Sequence, residues 1–453
     1  MNNIPAQVYP WRSRVQSHQS CGSSHGAFIP QRKPDSWEPI WVSLLEKKSR
    51  LFIKRCFMGE SARIAFHPTE AVAELSSVRA RTVPWYVWSS ALAITSTTVG
   101  LYWDISWHIS IGRDTFWTPA HLAIQFGAVL TGLCCAYLIL HTTLAPAVTG
   151  KNSVQIWGFR GPLGAFIAAW GGFCMLTSAP FDNWWHNSFG LDVMILSPPH
   201  VVLILGIFVM GLGGLILTTS QMNLSTGQNR DKLNWLLLYN GSLLLCLLLM
   251  LGLEYIGDQT LMHSAIYYRV LGMIVPVVLV GVGRASGGRW AITTLAAMYT
   301  VLWLAGNWIF PLFPAQAKLG PVFTPITHMV PLGFPVLVLP GAIVLDLILG
   351  RFASRSDTRK AMIAGAGFVA ATLAVSWPFA YFMMSPDARN WVFTMHEFSY
   401  DTPPSQYHLA WTLRAYEQTR VEFWLGMLIA LAATILSTRI GMLWGDWMRS
   451  IRR

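Results

Sequence analysis

Residues Tyr102 to His121 read YWDISWHISIGRDTFWTPAH, and residues Phe181 to His200 read FDNWWHNSFGLDVMILSPPH. Each stretch begins where one long apolar run ends and finishes where the next begins. The first contains Asp104-x3-His108-x12-His121, the second Asp182-x3-His186-x13-His200. In both, a carboxylate and a histidine stand one helical turn apart, a Gly and an Asp follow, and a Pro shortly precedes the second histidine. Ionisable side chains beside hydrocarbon are costly, so their clustering at helix ends points to function. The pattern reads as a metal-binding membrane protein.

Outward from these motifs, composition agrees. Of 453 residues 53% are hydrophobic and only 12% charged, where a soluble domain carries about 25% charged residues. Apolar runs of about 20 residues suffice to cross the hydrocarbon of a bilayer. Ten such runs are expected, near 85–106, 119–142, 161–181, 198–219, 234–256, 265–284, 289–311, 327–350, 360–384 and 420–445. The expected fold is an all-α polytopic membrane bundle. Tryptophans at span ends, among them Trp103, Trp107, Trp117, Trp184, Trp185 and Trp308, suit interfacial belts.

Basic residues set the expected orientation. Arg79 and Arg81 precede the first span, and connections after even-numbered spans carry Lys151, Arg160, Arg230, Lys232, Arg284, Arg289, Arg351, Arg355, Arg359 and Lys360. The positive-inside rule then puts both termini in the cytoplasm of a bacterial inner membrane and both motifs toward the periplasm. The net charge of +11 is mostly this bias and gives no reason to invoke nucleic acid. The six cysteines include no CxxC pair, so neither a zinc knuckle nor a disulfide framework is indicated.

Three regions are expected. Residues 1–80 are polar and basic, without a signal-peptide core, and Met58 offers a second start. Within them Leu44–Phe57 reads either as a basic amphipathic helix on the inner surface or as disordered chain. Residues 81–220 read as a four-helix metal-binding unit made of two tandem repeats, since both copies contain D-x-x-W-H-x-x-x-G-x-D. Residues 221–453 add about six helices. Their outward loops repeat the chemistry weakly, through Glu254, Asp258 and His263, through FTPITH ending at His328, and through His396, Glu397, Asp401 and His408.

Residues four apart on a helix lie on one face, so Asp104 with His108, and Asp182 with His186, can offer oxygen and nitrogen to one ion. His121 and His200 open the following spans, and the Pro before each fits a first helical turn. Ligand type alone does not choose the metal: two histidines and a carboxylate with open positions suit non-haem iron, zinc or copper, with copper favoured by its intrinsic affinity for nitrogen ligands. Asp114, Asp192 and Arg113 are candidates to orient the ligand histidines. The competing reading is an Asp–His pair that only caps a helix.

The stretch DISWHISIGRDTFWTPAH resembles the C subunit of the copper membrane monooxygenases, the particulate methane and ammonia monooxygenase family. Asp104, His108, Arg113, Asp114, Thr115, Thr118, Pro119 and His121 match its first cluster, and Asp182, His186, Pro198 and His200 match its second. Asp182 stands where the family has Asn, and the likeness covers about residues 81–220 only. The resemblance implies copper at both clusters, oxygen activation with Asp104, His108 and His121 as the catalytic set, and partner subunits, one bearing a periplasmic copper-binding domain. A small apolar or weakly polar substrate is expected, with electrons from a quinol, since no flavin, haem or iron–sulfur motif is present. The rival expectation is a non-enzymatic protein that transports or delivers copper. Its weakness is the lack of a dense Met cluster at the motifs.

Overall fold

The computed structural model describes residues 82–112, 116–145, 152–190, 196–257, 259–318, 326–388, 390–393 and 417–452. The segment 1–80, Arg113, Asp114, Asp192, Asp258, His396, Glu397, Asp401 and His408 therefore lie outside the described residues, as does the side chain of Glu254.

Ten long helices make up the described chain: α1 (Trp85–Ser110), α2 (Pro119–Leu144), α3 (Leu163–Phe189), α4 (Pro198–Leu224), α5 (Gly227–Leu251), α6 (Ala265–Ser286), α7 (Ala291–Ile309), α8 (Leu339–Arg351), α9 (Asp357–Met383) and α10 (Arg420–Ser450). Short helical turns at Leu253–Ile256 and Gln259–His263 lead into α6. Between α2 and α3 lies a small antiparallel hairpin, β1 (Val154–Ile156) and β2 (Phe159–Gly161). Its two-residue turn has Trp157 and Gly158 both at positive φ, which matches the right-handed twist of the strands.

Eight of the helices are long and apolar enough to cross a membrane: α2 to α7, α9 and α10. Apart from the β1–β2 hairpin, the described residues form a helical protein of membrane-spanning character. Helix α1 has 26 residues, about 39 Å at 1.5 Å per residue, yet its most apolar stretch is less apolar than those of these eight. It carries a Thr95–Thr98 run as well as Asp104 and His108.

The expected apolar helix over 327–350 is not formed as such. Residues 326–338 contain no helix, and α8 has only 13 residues. The cause lies in Pro331, Gly333 and Pro335. Proline lacks the N–H that a helix needs and drives the residue before it out of the α region, and Gly333 sits at φ 90°. Residues 329–333 and Val336 are nevertheless buried, so their backbone groups need partners, and side chains supply several of them. Ser110 Oγ accepts from Val330 N (2.7 Å), Tyr102 Oη from Leu332 N (3.2 Å) and Tyr299 Oη from Val336 N (3.1 Å). Gly333 O accepts from Trp303 Nε1 (2.9 Å) and Asn307 Nδ2 (2.7 Å).

The main core runs from Val87 and Tyr102 on α1, through α4 to α9, to Met442 and Met448 on α10. A smaller cluster joins Ile94, Ile124, Met175, Ile207 and Leu247 across α1 to α5. With no hydrophobic drive between helices in lipid, close packing depends on small residues. At Gly100 a Cβ would lie 2.8 Å from Ile124 N and 3.0 Å from Ala120 O. That contact brings the backbones of α1 and α2 together one turn from Asp104 and beside His121. At one end of the bundle Arg284 of α6 pairs with Asp446 of α10 (2.6 Å) and Asp357 of α9 (3.2 Å). At another, Lys318 N donates to Ile111 O (2.9 Å), holding the chain after α7 against the end of α1.

Candidate metal centres

Asp104 and His108 occupy the last two turns of α1, and His121 is the third residue of α2. Asp182 and His186 lie in the last turns of α3, and His200 is the third residue of α4. Proline opens both α2 and α4, where its missing N–H would have had no partner anyway.

In the first centre Asp104 Oδ1 is 3.1 Å from His121 Nε2, and Oδ2 is 3.9 Å from His108 Nε2. One ligand atom from each of the three residues lies within 4.8 Å of the others, the one such group of three among the described residues. In the second centre Asp182 Oδ2 is 3.3 Å from His186 Nε2, and Oδ1 is 3.5 Å from His200 Nε2. In both, the carboxylate divides its oxygens in the same way between the histidine one turn on and the histidine across the loop. The sequence pattern thus brings all six expected ligand residues into two triads.

The chain turns after each helix at a glycine of the shared pattern, Gly112 at φ 87° and Gly190 at φ 89°. Gly190 also contacts a candidate ligand. His186 Nδ1 lies 3.2 Å from Gly190 O, and a carbonyl can only accept, so Nδ1 carries the hydrogen. When that ring is neutral, its Nε2 turns a bare lone pair toward the Asp182 carboxylate. Two acceptors at that distance repel unless a cation, a proton or a metal ion, lies between them. Backbone carbonyls serve metal-bound histidines in this way elsewhere, fixing the tautomer.

A second observation bears on the same point. Asp104 Oδ1 and Asp182 Oδ1 are both buried without a hydrogen-bond donor, although a histidine nitrogen is near each. The approach is close but not aligned for N–H donation. Leaving a buried carboxylate oxygen unsatisfied costs about 1–3 kcal/mol or more, which a cation shared with the histidines would offset. The donor set, one oxygen and two nitrogens with each residue about a third exposed or less on its side chain, fits a divalent first-row transition metal.

Two other histidines are not brought to these centres. His263 is buried, its Nε2 donates to Trp377 O (2.8 Å), and its ring stacks on Trp377 with centroids 3.8 Å apart. His328 is exposed, contacts Thr327 Oγ1 through Nδ1 (2.9 Å), and bridges Pro314 by backbone. The sequence reading did not single out Tyr102, Ser106 and Ser110, which tie the ligand-bearing end of α1 to residues 330–333. Their signal was present as polar residues four apart on an apolar helix.

No protein-family model matches the chain, and no curated protein or solved structure matches it.

Proposed function

We propose that this protein is a membrane metalloprotein that binds copper at Asp104, His108 and His121 and at Asp182, His186 and His200. The observation that carries the proposal is the facing of Asp carboxylate oxygens and histidine Nε2 atoms in both triads, with a buried Oδ1 lacking a donor in each. We read the two helix–loop–helix units as tandem repeats. The equivalent glycines at φ 87° and 89°, the third-position histidines and the matching division of carboxylate oxygens support that reading.

On this reading α1, and residues 326–338 together with α8, each complete a passage, making ten in all. The grouping of the ends of α6 and α10 with the start of α9 supports this parity, as does the contact of the α7 exit with the α1 exit. The centres then face the periplasm of a bacterial inner membrane, and the termini the cytoplasm.

The activity proposed is that of a subunit in a copper monooxygenase-like complex, with partner subunits, a quinol donor and a small substrate. Copper, when bound, would supply the redox chemistry that activates O2. The chain's own part is to hold the ion at open coordination, through a carboxylate shared by two histidines. His186 is kept in one tautomer by Gly190 O. Trp184, Trp185 and Phe189 pack on one another beside His186 in the chain.

A copper-handling role is the second reading, and non-helical backbone buried within a spanning bundle is the observation that favours it, since broken helices recur in transporters. Membranes containing the protein are assayed for quinol-dependent O2 uptake, then for copper flux after reconstitution. Uptake that disappears in Asp104→Ala supports the enzyme. Copper flux without O2 uptake, also lost in Asp104→Ala, replaces it with the handling role.

A further inference from the structure

We propose that Ser106 and Ser110 are positioning residues for the first metal centre, acting through the non-helical segment at residues 330–333. The inference rests on the metal-binding reading of Asp104, His108 and His121 and adds a task for the second half of the chain.

Tyr102, Ser106 and Ser110 are spaced by four and so share one face of α1, while Asp104 and His108 point about 200° away on a 3.6-residue helix. All three are buried. Ser106 Oγ donates to Val330 O (2.6 Å), Ser110 Oγ accepts from Val330 N (2.7 Å), and Ser110 Oγ donates to Ser106 O (2.6 Å). Tyr102 Oη accepts from Leu332 N and donates to Asn307 Oδ1. The final turns of α1 are thus fastened along the back while the front presents ligands. A helix end normally frays, and these contacts fix both the rotation of α1 and the height of Asp104 against His121.

The second centre has no equivalent fastening among the described residues. The corresponding positions on α3 are Pro180, Trp184 and Ser188. Pro180 has no hydroxyl, and Trp184 and Ser188 are exposed. The two centres differ accordingly: the first closes to within 4.8 Å on all sides, and the second is not among such groups. The first centre is therefore preorganised and the second adapts to its ion. Loss of the contacts that orient metal ligands typically weakens affinity about 10–100-fold.

The test uses full-length protein carrying His186→Ala and His200→Ala, so that only the first centre remains, titrated with Cu2+ and followed by electron paramagnetic resonance. Adding Ser106→Ala and Ser110→Ala is expected to weaken Cu2+ binding about 10–100-fold and to alter the spectrum. Ser106→Thr with Ser110→Thr, which keeps both hydroxyls, is expected to retain the parent spectrum. An unchanged affinity and spectrum in the double alanine variant overturns the positioning role while leaving the metal reading intact. No Cu2+ binding by the parent itself overturns both. In a chain with the second centre intact and His121→Ala removing the first, the serine changes should leave Cu2+ binding unchanged; an equal loss there marks general loss of fold and also overturns the proposal.

Discussion

Replacing Gly190 by alanine tests the second centre at a single backbone atom. Gly190 has φ 89° and ψ 179°, a region that only glycine occupies comfortably, and forcing a side chain into such a conformation costs about 1–3 kcal/mol. Nothing lies within 4 Å of a Cβ at Gly190, so the penalty is one of backbone conformation and not of crowding. The chain can relieve it by moving to negative φ, but the Gly190 carbonyl then swings away from His186 Nδ1, now 3.2 Å distant. His186 loses the contact that fixes its tautomer, and Cu2+ affinity at the second centre should fall about 10–100-fold. The assay is Cu2+ titration in a His121→Ala background, with Gly158→Ala as the control, since Gly158 is also at positive φ with open space around it but lies in the hairpin far along the chain. Affinity unchanged in Gly190→Ala, or lowered equally in Gly158→Ala, refutes the reasoning.

Tyr102→Phe should destabilise the protein by about 2–4 kcal/mol, because it removes the acceptor of Leu332 N and the donor to Asn307 Oδ1, both buried, with little change in volume; denaturant unfolding in detergent measures this, and a loss below about 0.5 kcal/mol contradicts it. His263→Ala should leave metal content unchanged while lowering stability by about 1–3 kcal/mol through the lost Trp377 stack and carbonyl contact. A fall in bound metal in that variant contradicts the structural role given to His263.

Both triads were legible in the sequence because helical spacing alone puts Asp104 over His108 and Asp182 over His186, and a Pro near the start of the next helix places a third ligand close by. The long apolar helices were equally plain from their length. The stretch from 326 to 338 was not, because an apolar run has the same hydropathy whether it is helical or extended. What distinguishes it is the close series of Pro331, Gly333 and Pro335, and the burial that requires partners for its backbone. Those partners, Tyr102, Ser110 and Tyr299, lie more than thirty residues away in sequence, so no local pattern announces them. The loop carrying His263 repeats the chemistry only weakly in sequence, and the stacking of Trp377 on its ring with the bond to Trp377 O gives this histidine a packing task.

The central claim, two cation sites of the same construction, is tested most directly by metal analysis of the protein purified in native lipid. The account predicts about two copper ions per chain, reduced by about one in His121→Ala and by about one in His200→Ala, and absent when both changes are combined. Protein that folds and carries no transition metal, or whose metal content is the same in all four forms, contradicts it.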